Sequence, residues 1–525
     1  MSFFRIASRG PVPLVIAVFC TAVTPTHLAA QTHRTTDPVI HRIWEAGMQN
    51  SQAETLAQVL MDSIGPRLAG SPELAAAQDW LVALYRRWGI TVRKERYGTW
   101  ESWRQGYLHV DLVSPRIQTL EAELLAWSPG TDGPAEGEVL LLDAAALGEP
   151  GQWGARLAGK WILGSPPEPM CRAPQELERN ARPETVARLA AARASARQDF
   201  SDRVRALGGR AAVRALVDSS GALGMLTSRW SRGWGVNKVF SSWTRAVPVL
   251  DLSCEDYGML YRMAERGQQP RIRVDASAEA LGEMPQFNVI AEIRGSELPD
   301  EYVVLSAHLD SWHAATGATD NGTGTILMLE AMRILKQTYP NPRRTILVGH
   351  WGPEEVGLTG SRAFTEDHPD LLDGIQVLFN QDNGTWRVER IEGQGFLYAG
   401  QHIGRWISLV PDEISEHITL EFPGGQNNRG SDHVAFLCHG VPAFRLQSAY
   451  DEYRQYTWHT NRDTYDKIVF DDLKENATLA AMLAYAASED PERVPRDRSV
   501  LPVDPRTGEP RGWVRCGEAR RSSGR

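Results

Sequence analysis

His308, Asp310 and Asp320 fall within thirteen residues, in "SAHLDSWHAATGATDNGTG", directly after the apolar run "EYVVLSA". Glu354 and Glu355 follow "RRTILVGHWG", Asp382 follows "IQVLFNQ", and His459 stands in "YTWHTNRDTYDK". Carboxylates and imidazoles with no thiolate among them suit zinc or a similar borderline divalent ion at a catalytic centre, not a closed structural site. Ions held in that way activate water and polarise carbonyls, so the chemistry to expect is metal-assisted hydrolysis.

Most of these residues need a strand to position them. "YVVLSAH", "RRTILVGHW" and "IQVLFNQ" read as strands, which places His308, the Glu pair and Asp382 at carboxyl ends, where open α/β sheets hold their sites. Asp320 precedes the helical run "GTGTILMLEAM", whose positive end favours a carboxylate, and Gly317, Gly322 and Gly324 let the backbone turn tightly around it. From Glu283 onward strands and helices alternate ("FNVIAEIRG", "YVVLSAH", "GTILMLEAMRILKQTY", "RRTILVGHW", "IQVLFNQ"), closing with "LKENATLAAMLAYAAS". That rhythm predicts an α/β fold with a mixed, mostly parallel central sheet flanked by helices. Upstream, Ile40 to Gly89 has helical apolar spacing, and "YLHVDLV", "GEVLLLD" and "GKWILGS" are short strand candidates. "PETVARLAAARASARQDFSDRVRALGG" reads as an exposed helix on its charge pattern.

The chain has 525 residues, more than one ordinary domain, and its 42% hydrophobic content with 17 Trp is ample for a packed core. A net charge of −9 gives no reason to expect nucleic acid as a partner. Arg5 and Arg9, the short apolar run "VPLVIAVFCTAV" and the small residues of "THLAAQ" form an export signal, with cleavage expected after about Ala30. The run is shorter than the ~20 residues of a spanning helix, and no later segment is apolar enough. A soluble, secreted or periplasmic protein with no membrane span is therefore expected. Cys171, Cys254, Cys438 and Cys516 remain after cleavage. A Cys171–Cys254 bridge is one option, while Cys254 and Cys438 otherwise read as buried free thiols.

The stretches "GPRLAGS", "FNVIAEIRGS", "HLDSW", "TDNGTG", "WGPEEVG", "QDNGT", "GSDHVAF", "GVPAFRL" and "HTNRDTYDKI", from about residue 55 to 485, together resemble the co-catalytic zinc exopeptidases of metallopeptidase family twenty-eight. The resemblance implies two Zn2+ per chain in a zinc aminopeptidase-like fold. His308, Asp320 and Asp382 would hold one ion; Asp320 would bridge to the second, completed by Glu355 and His459. Glu354 would be the general base, off the metal and free to move a proton. Asp310 would fix the tautomer of His308. A hydroxide shared by two ions would be the nucleophile. The loop "EFPGGQNNRGSDH" resembles the family's cleft-lining segment, which makes Asp432 and His433 candidates either for substrate contact or for supporting the ligands from outside, and Asn383 a candidate for substrate contact. His313, His350, His402, His417 and His439 match no motif position and read as structural or exposed. The sequons at Asn321 and Asn383 lie inside the site motifs and read as chance matches.

The resulting map has a signal peptide at 1–30 and the first part of the peptidase domain at 31–98. A β-rich, protease-associated-like insert with a helical excursion follows at 99–283, the catalytic part at 284–490, and a mobile Pro/Arg-rich tail at 491–525. The expected substrate is a dipeptide or short peptide, with the choice between its free amine and its free carboxylate left open; a homodimer is allowed. Two other classes are weighed: a single-zinc glutaminyl cyclase-type transferase and a metal-free, receptor-like ectodomain. The complete ligand set argues against both.

Overall fold

Ser71 and Pro72 set the start of the first long helix, α1 (Pro72–Arg87). The Ser71 hydroxyl accepts the Leu74 N–H, and Pro72 occupies a position where no N–H is required. Leu74, Ala77, Leu81, Leu84 and Tyr85 recur at helical spacing and are buried, so α1 docks by one face. The computed structural model describes residues 35–426, 430–450 and 452–524; the export signal expected at 1–30 lies outside them.

Eleven strands matter for the site. They are β1 (Thr91–Ser114), β2 (Ala122–Leu124), β3 (Ala135–Leu141), β4 (Lys160–Leu163), β5 (Gly224–Thr227), β6 (Val249–Leu252), β7 (Arg271–Ile293), β8 (Leu298–His308), β9 (Arg344–Trp351), β10 (Ile375–Asn380) and β11 (Ala443–Arg445). All belong to one mixed sheet, in the order β11-β10-β8-β9-β7-β3-β4-β5-β6-β2, with β1 on β7. β8, β9, β10 and β11 are parallel, and so are β3, β4, β5 and β6. β7 joins the two blocks, antiparallel to β9 on one side and to β3 on the other. Every residue of β9 and β10 is buried, which is why both read as continuous apolar runs without alternation. Helices α3 (Thr323–Thr338) and α4 (Phe470–Glu489) are buried over most of their length and pack on each other; α2 (Pro183–Ala206) buries only Leu189 and is the exposed helix its charge pattern suggests.

The segment 99–283 does not carry a sheet of its own. β1 and β7 pair antiparallel from Thr91 opposite Glu292 to Ser114 opposite Arg271, with four register shifts, so one ribbon runs from residues 284–293 into the segment 99–283. The two halves nevertheless have separate buried cores, one around Leu305, Val348 and Leu378, the other around Trp161, Leu226 and Leu250. Only "YLHVDLV" is legible as strand within β1; elsewhere its buried aromatics, Tyr97, Trp100 and Trp103, stand three apart among charged and polar residues, so no period of two shows.

Two further expectations change. Cys254 is bonded to Cys171 and Cys438 to Cys516, so neither Cys254 nor Cys438 is a free thiol. The stretch after Pro491, expected to be mobile, is laid along the body. Cys516 ties it to Cys438, Trp513 packs on Phe396, and Arg521 pairs with Glu366 at 3.0 Å and Asp367 at 2.8 Å. The Thr99 N–H donates to the Arg521 carbonyl at 2.9 Å, so this strap follows β1. No helix among the described residues is long and apolar enough to cross a membrane.

Candidate active site

His308 ends β8, Asp382 lies two residues beyond β10, and the Glu354–Glu355 turn follows β9; these three parallel strands therefore deliver their polar ends to one place. Asp320 arrives from the other direction, on the short turn before α3. Gly317 opens that turn in the left-handed region, at φ +60°. A Cβ at Gly324 would stand 2.3 Å from Asn321 Oδ1 and 2.6 Å from the Gln381 carbonyl, so only glycine lets the turn approach the Asp382 loop this closely.

The ligand atoms fall into two groups that share one residue: His308, Asp320 and Asp382 form the first, and Asp320, Glu355 and His459 the second. In the first, His308 Nε2 lies 3.2 Å from Asp382 Oδ1 and 3.6 Å from Asp320 Oδ1. In the second, His459 Nε2 lies 2.9 Å from Glu355 Oε2 and 3.3 Å from Asp320 Oδ2. Asp320 thus turns one carboxylate oxygen toward each group. Glu354, its neighbour in charge and size, joins neither.

The donor set fits a pair of cations. His308 Nδ1 lies 3.0 Å from the Asp310 carbonyl, which it serves as donor, so the Nε2 lone pair faces two carboxylates. Such a face needs either a proton or a metal ion. Burial pulls the His308 imidazole down, but Asp382, Asp310 and Asp320 outweigh it and hold the ring well above its ordinary value. Burial, then neighbouring carboxylates, push Glu354 and Glu355 well above the usual carboxylate range. Asp320 Oδ2 and Glu355 Oε1 are buried without a hydrogen-bond donor. Carboxyls packed this closely cannot all be charged unless positive charge is placed among them.

The surrounding residues hold this geometry. Asp310, fully buried, accepts the backbone N–H of Glu354 at 2.9 Å and of Glu355 at 3.2 Å, so it positions the Glu pair as well as His308. Asp463 accepts the N–H groups of Thr319 at 2.7 Å and Asp320 at 3.0 Å; burial raises its carboxyl to about 7. The Trp312 indole donates to Glu355 Oε2 at 2.9 Å. The buried Arg67 guanidinium donates to the carbonyls of Leu309, Gly65, Thr316 and Gly317, stitching the loop between His308 and Asp320. Asp463, Trp312 and Arg67 were not singled out from the sequence, although each stands inside a quoted motif ("HTNRDTYDKI", "HLDSW" and "GPRLAGS"). An acidic residue four positions after a ligand histidine was the available signal for Asp463.

The insert reaches the site through the His459 loop. Val239 N–H donates to the His459 carbonyl at 2.8 Å, and the rings of Phe240, Trp312 and Trp458 lie 4.9, 5.7 and 4.1 Å from the imidazole. Lys238 spans 4.1 Å to the Trp458 ring. A cavity of about 520 Å3 opens beside Thr319 between Trp234 of the insert and Trp386, Tyr453 and Tyr456. A second cleft, of about 390 Å3, has Glu355 and Trp312 in its lining.

The three candidates for substrate contact are placed differently. Asp432 and His433 are fully buried and present no surface to a ligand; burial raises Asp432 to about 7, and its carboxyl feels the charges of His308 and Asp382. Asn383 spends its amide on Ser448, donating to the carbonyl at 2.8 Å and accepting the N–H at 3.4 Å. Asn321 is also fully buried, which leaves no room for a glycan at either sequon.

Residues 288–484 match the family described as peptidase family M28. This segment is therefore similar to an M28 peptidase domain. The quoted motifs resemble carboxypeptidase Q within that family, and carboxypeptidase Q of Mus musculus is 26% identical over 453 residues, covering 85% of this chain and 88% of that protein. A solved peptidase M28 precursor from Shewanella amazonensis superposes with a TM-score of 0.63 at 23% identity, covering 87% of this chain and 97% of that one. BSAP, a zinc aminopeptidase from Bacillus subtilis, gives a TM-score of 0.53 at 19% identity over 85% of this chain and 96% of its own. These superpositions agree with the mixed, mostly parallel sheet read from the sequence.

Proposed function

We propose that this peptidase is an exported di-zinc exopeptidase hydrolysing dipeptides or short peptides. The observation that carries the reading is Asp320, whose two oxygens face two separate three-residue groups, each containing an imidazole. His308, Asp320 and Asp382 would hold one zinc and Asp320, Glu355 and His459 the other. When bound, the ions supply Lewis acidity toward the scissile carbonyl and an activated water. Glu354 takes the proton of the attacking water and returns it to the leaving amine, a role its place outside both groups leaves open. Asp310 keeps His308 Nδ1 protonated and Nε2 available, and by holding two consecutive N–H groups it aims Glu354 and Glu355 in different directions. Trp312 and Asp463 restrain Glu355 and the Asp320 turn. Two complete groups weigh against a single-zinc cyclase, and the buried excess of carboxyls weighs against a metal-free ectodomain.

Export is supported by the Arg5/Arg9 and apolar pattern at the start of the chain and by the bonding of all four later cysteines. The decisive experiment is zinc analysis of the purified protein combined with hydrolysis of a dipeptide panel before and after chelation. Two zinc per chain with chelator-sensitive hydrolysis is expected. One zinc at full activity would refute the two-ion reading.

A further inference from the structure

The cleft that contains Glu355 is completed by the C-terminal strap. Arg520 and Ser523 line it together with Trp100, Trp127 and Phe240, and Arg245 stands at the same rim. The strap is fixed on both sides of Arg520: the Ala519 N–H donates to Glu366, Arg521 pairs with Glu366 and Asp367, and Ser523 Oγ accepts the Glu101 N–H at 2.9 Å. The two cations at the rim differ. Arg245 lies 3.3 Å from Glu101, so its charge is offset. Arg520 lies 4.7 Å from the centre of the Trp100 ring and donates to the Ser523 carbonyl; among the described residues it has no carboxylate within ion-pair distance. An exposed guanidinium, braced on an aromatic ring and left without an acid, borders the cleft that leads to a metal ligand.

We infer that Arg520 is a specificity-determining residue that receives a carboxylate of the peptide substrate, so that the strap outside the family-matched segment 288–484 forms one wall of the substrate site. This inference rests on the peptidase reading above and names the anionic group that the site selects. A guanidinium forms a bidentate pair with the two oxygens of an oppositely charged carboxylate, whereas a carboxamide offers it one neutral acceptor oxygen. Pinning the strap on both sides of Arg520 lowers the ordering cost of that contact. The cleft volume of about 390 Å3 falls within the range of small-molecule sites, roughly 300–1,000 Å3.

The test uses the full, zinc-loaded chain and two peptide pairs. Ala-Leu against Ala-Leu-amide isolates the C-terminal carboxylate, and Ala-Glu-amide against Ala-Gln-amide isolates an acidic side chain. In wild type the acid of one pair should be preferred in kcat/KM, and that pair identifies which carboxylate is read. Arg520→Glu should collapse the acid-to-amide ratio by about tenfold, mainly through KM, with the melting temperature unchanged. Arg520→Lys should keep the direction of the preference at a reduced ratio, because the charge stays while the paired geometry and the stacking on Trp100 are lost. An unchanged ratio in Arg520→Glu for both pairs, or equal losses on acid and amide, would overturn the inference. Should wild type hydrolyse none of the four peptides, the peptidase reading fails on its own. The subsite is then judged by calorimetric binding of the same pairs, where equal affinity of wild type and Arg520→Glu for the acids overturns it.

Discussion

Asp310→Asn changes almost no volume and should still cripple the site. The Asp310 carboxylate is fully buried and serves three groups: the Glu354 N–H at 2.9 Å on Oδ1, the Glu355 N–H at 3.2 Å on Oδ2, and His308 Nδ1 at 3.3 Å. An asparagine offers one acceptor oxygen and one NH2 donor. Whichever way the amide turns, one of the two backbone N–H groups meets a donor, and the other loses its charged partner. A buried donor left unsatisfied costs about 1–3 kcal/mol. The side-chain contact to His308 Nδ1 also loses its charge, while the bond to the Asp310 carbonyl stays; changing such a partner behind a metal ligand typically costs 10–100-fold in metal affinity or activity. The expected result is a folded protein that binds zinc roughly 10–100-fold more weakly and loses at least as much kcat/KM. Competition against a zinc chelator gives the first quantity and dipeptide hydrolysis the second. Asp79→Asn is the control, since the Asp79 side chain is 71% exposed and, among the described residues, pairs only with Lys94 at 2.8 Å. It should alter neither. Zinc affinity within about twofold of wild type in Asp310→Asn, with unchanged kcat, would refute the positioning role.

Three more outcomes follow from the same geometry. Glu354→Gln should keep both zinc ions and lower kcat by ~10²–10⁴-fold, whereas Glu355→Gln should lower zinc content as well; metal analysis beside kinetics separates them, and exchanged results would exchange the roles. Asp320→Ala removes the shared ligand and should cost both ions, while His459→Ala should chiefly weaken one; full zinc in Asp320→Ala would sink the assignment. In the insert, burial raises the Asp251 carboxyl to about 7 despite hydrogen bonds from Thr227 and Arg229. Its folded value exceeds the unfolded one, so the native state binds more protons between about pH 4 and 7. Stability from this group is therefore present at low pH and lost as pH rises toward 7, at up to about 1.4 kcal/mol per pH unit. Melting curves across that window should show a flatter pH dependence for Asp251→Asn than for wild type.

The candidate ligands could be read from the sequence because each belongs to a local pattern. A buried parallel strand is a continuous apolar run, and the polar residue at its end stands out whatever the rest of the chain does. His308, Glu354, Glu355 and Asp382 were legible for this reason, and Asp320 because a glycine-rich turn before a helix marks it. The grouping of His308, Asp320, Glu355, Asp382 and His459 was available only through the family resemblance, and the structure brings these five together. What the tertiary structure decided lies in contacts that no local pattern carries. Asp463 reaches the Asp320 turn across 143 residues of chain, and Asp310 holds the Glu pair across 44 and 45. Asp432, His433 and Asn383 sit in a motif, yet burial and the Ser448 pairing take them off the surface, and burial depends on everything packed around a residue. The same holds for the first half of β1, where Tyr97, Trp100 and Trp103 are buried at a spacing of three that gave no strand alternation to read, and for the strap, whose Pro- and Arg-rich composition suggests mobility until Cys438, Glu366 and Asp367 supply partners. Residue type and short-range order determine which chemistry a chain can attempt; long-range packing determines which of those residues face one another, because the energy of a buried polar contact resides in a pair brought together by folding and not in either residue alone.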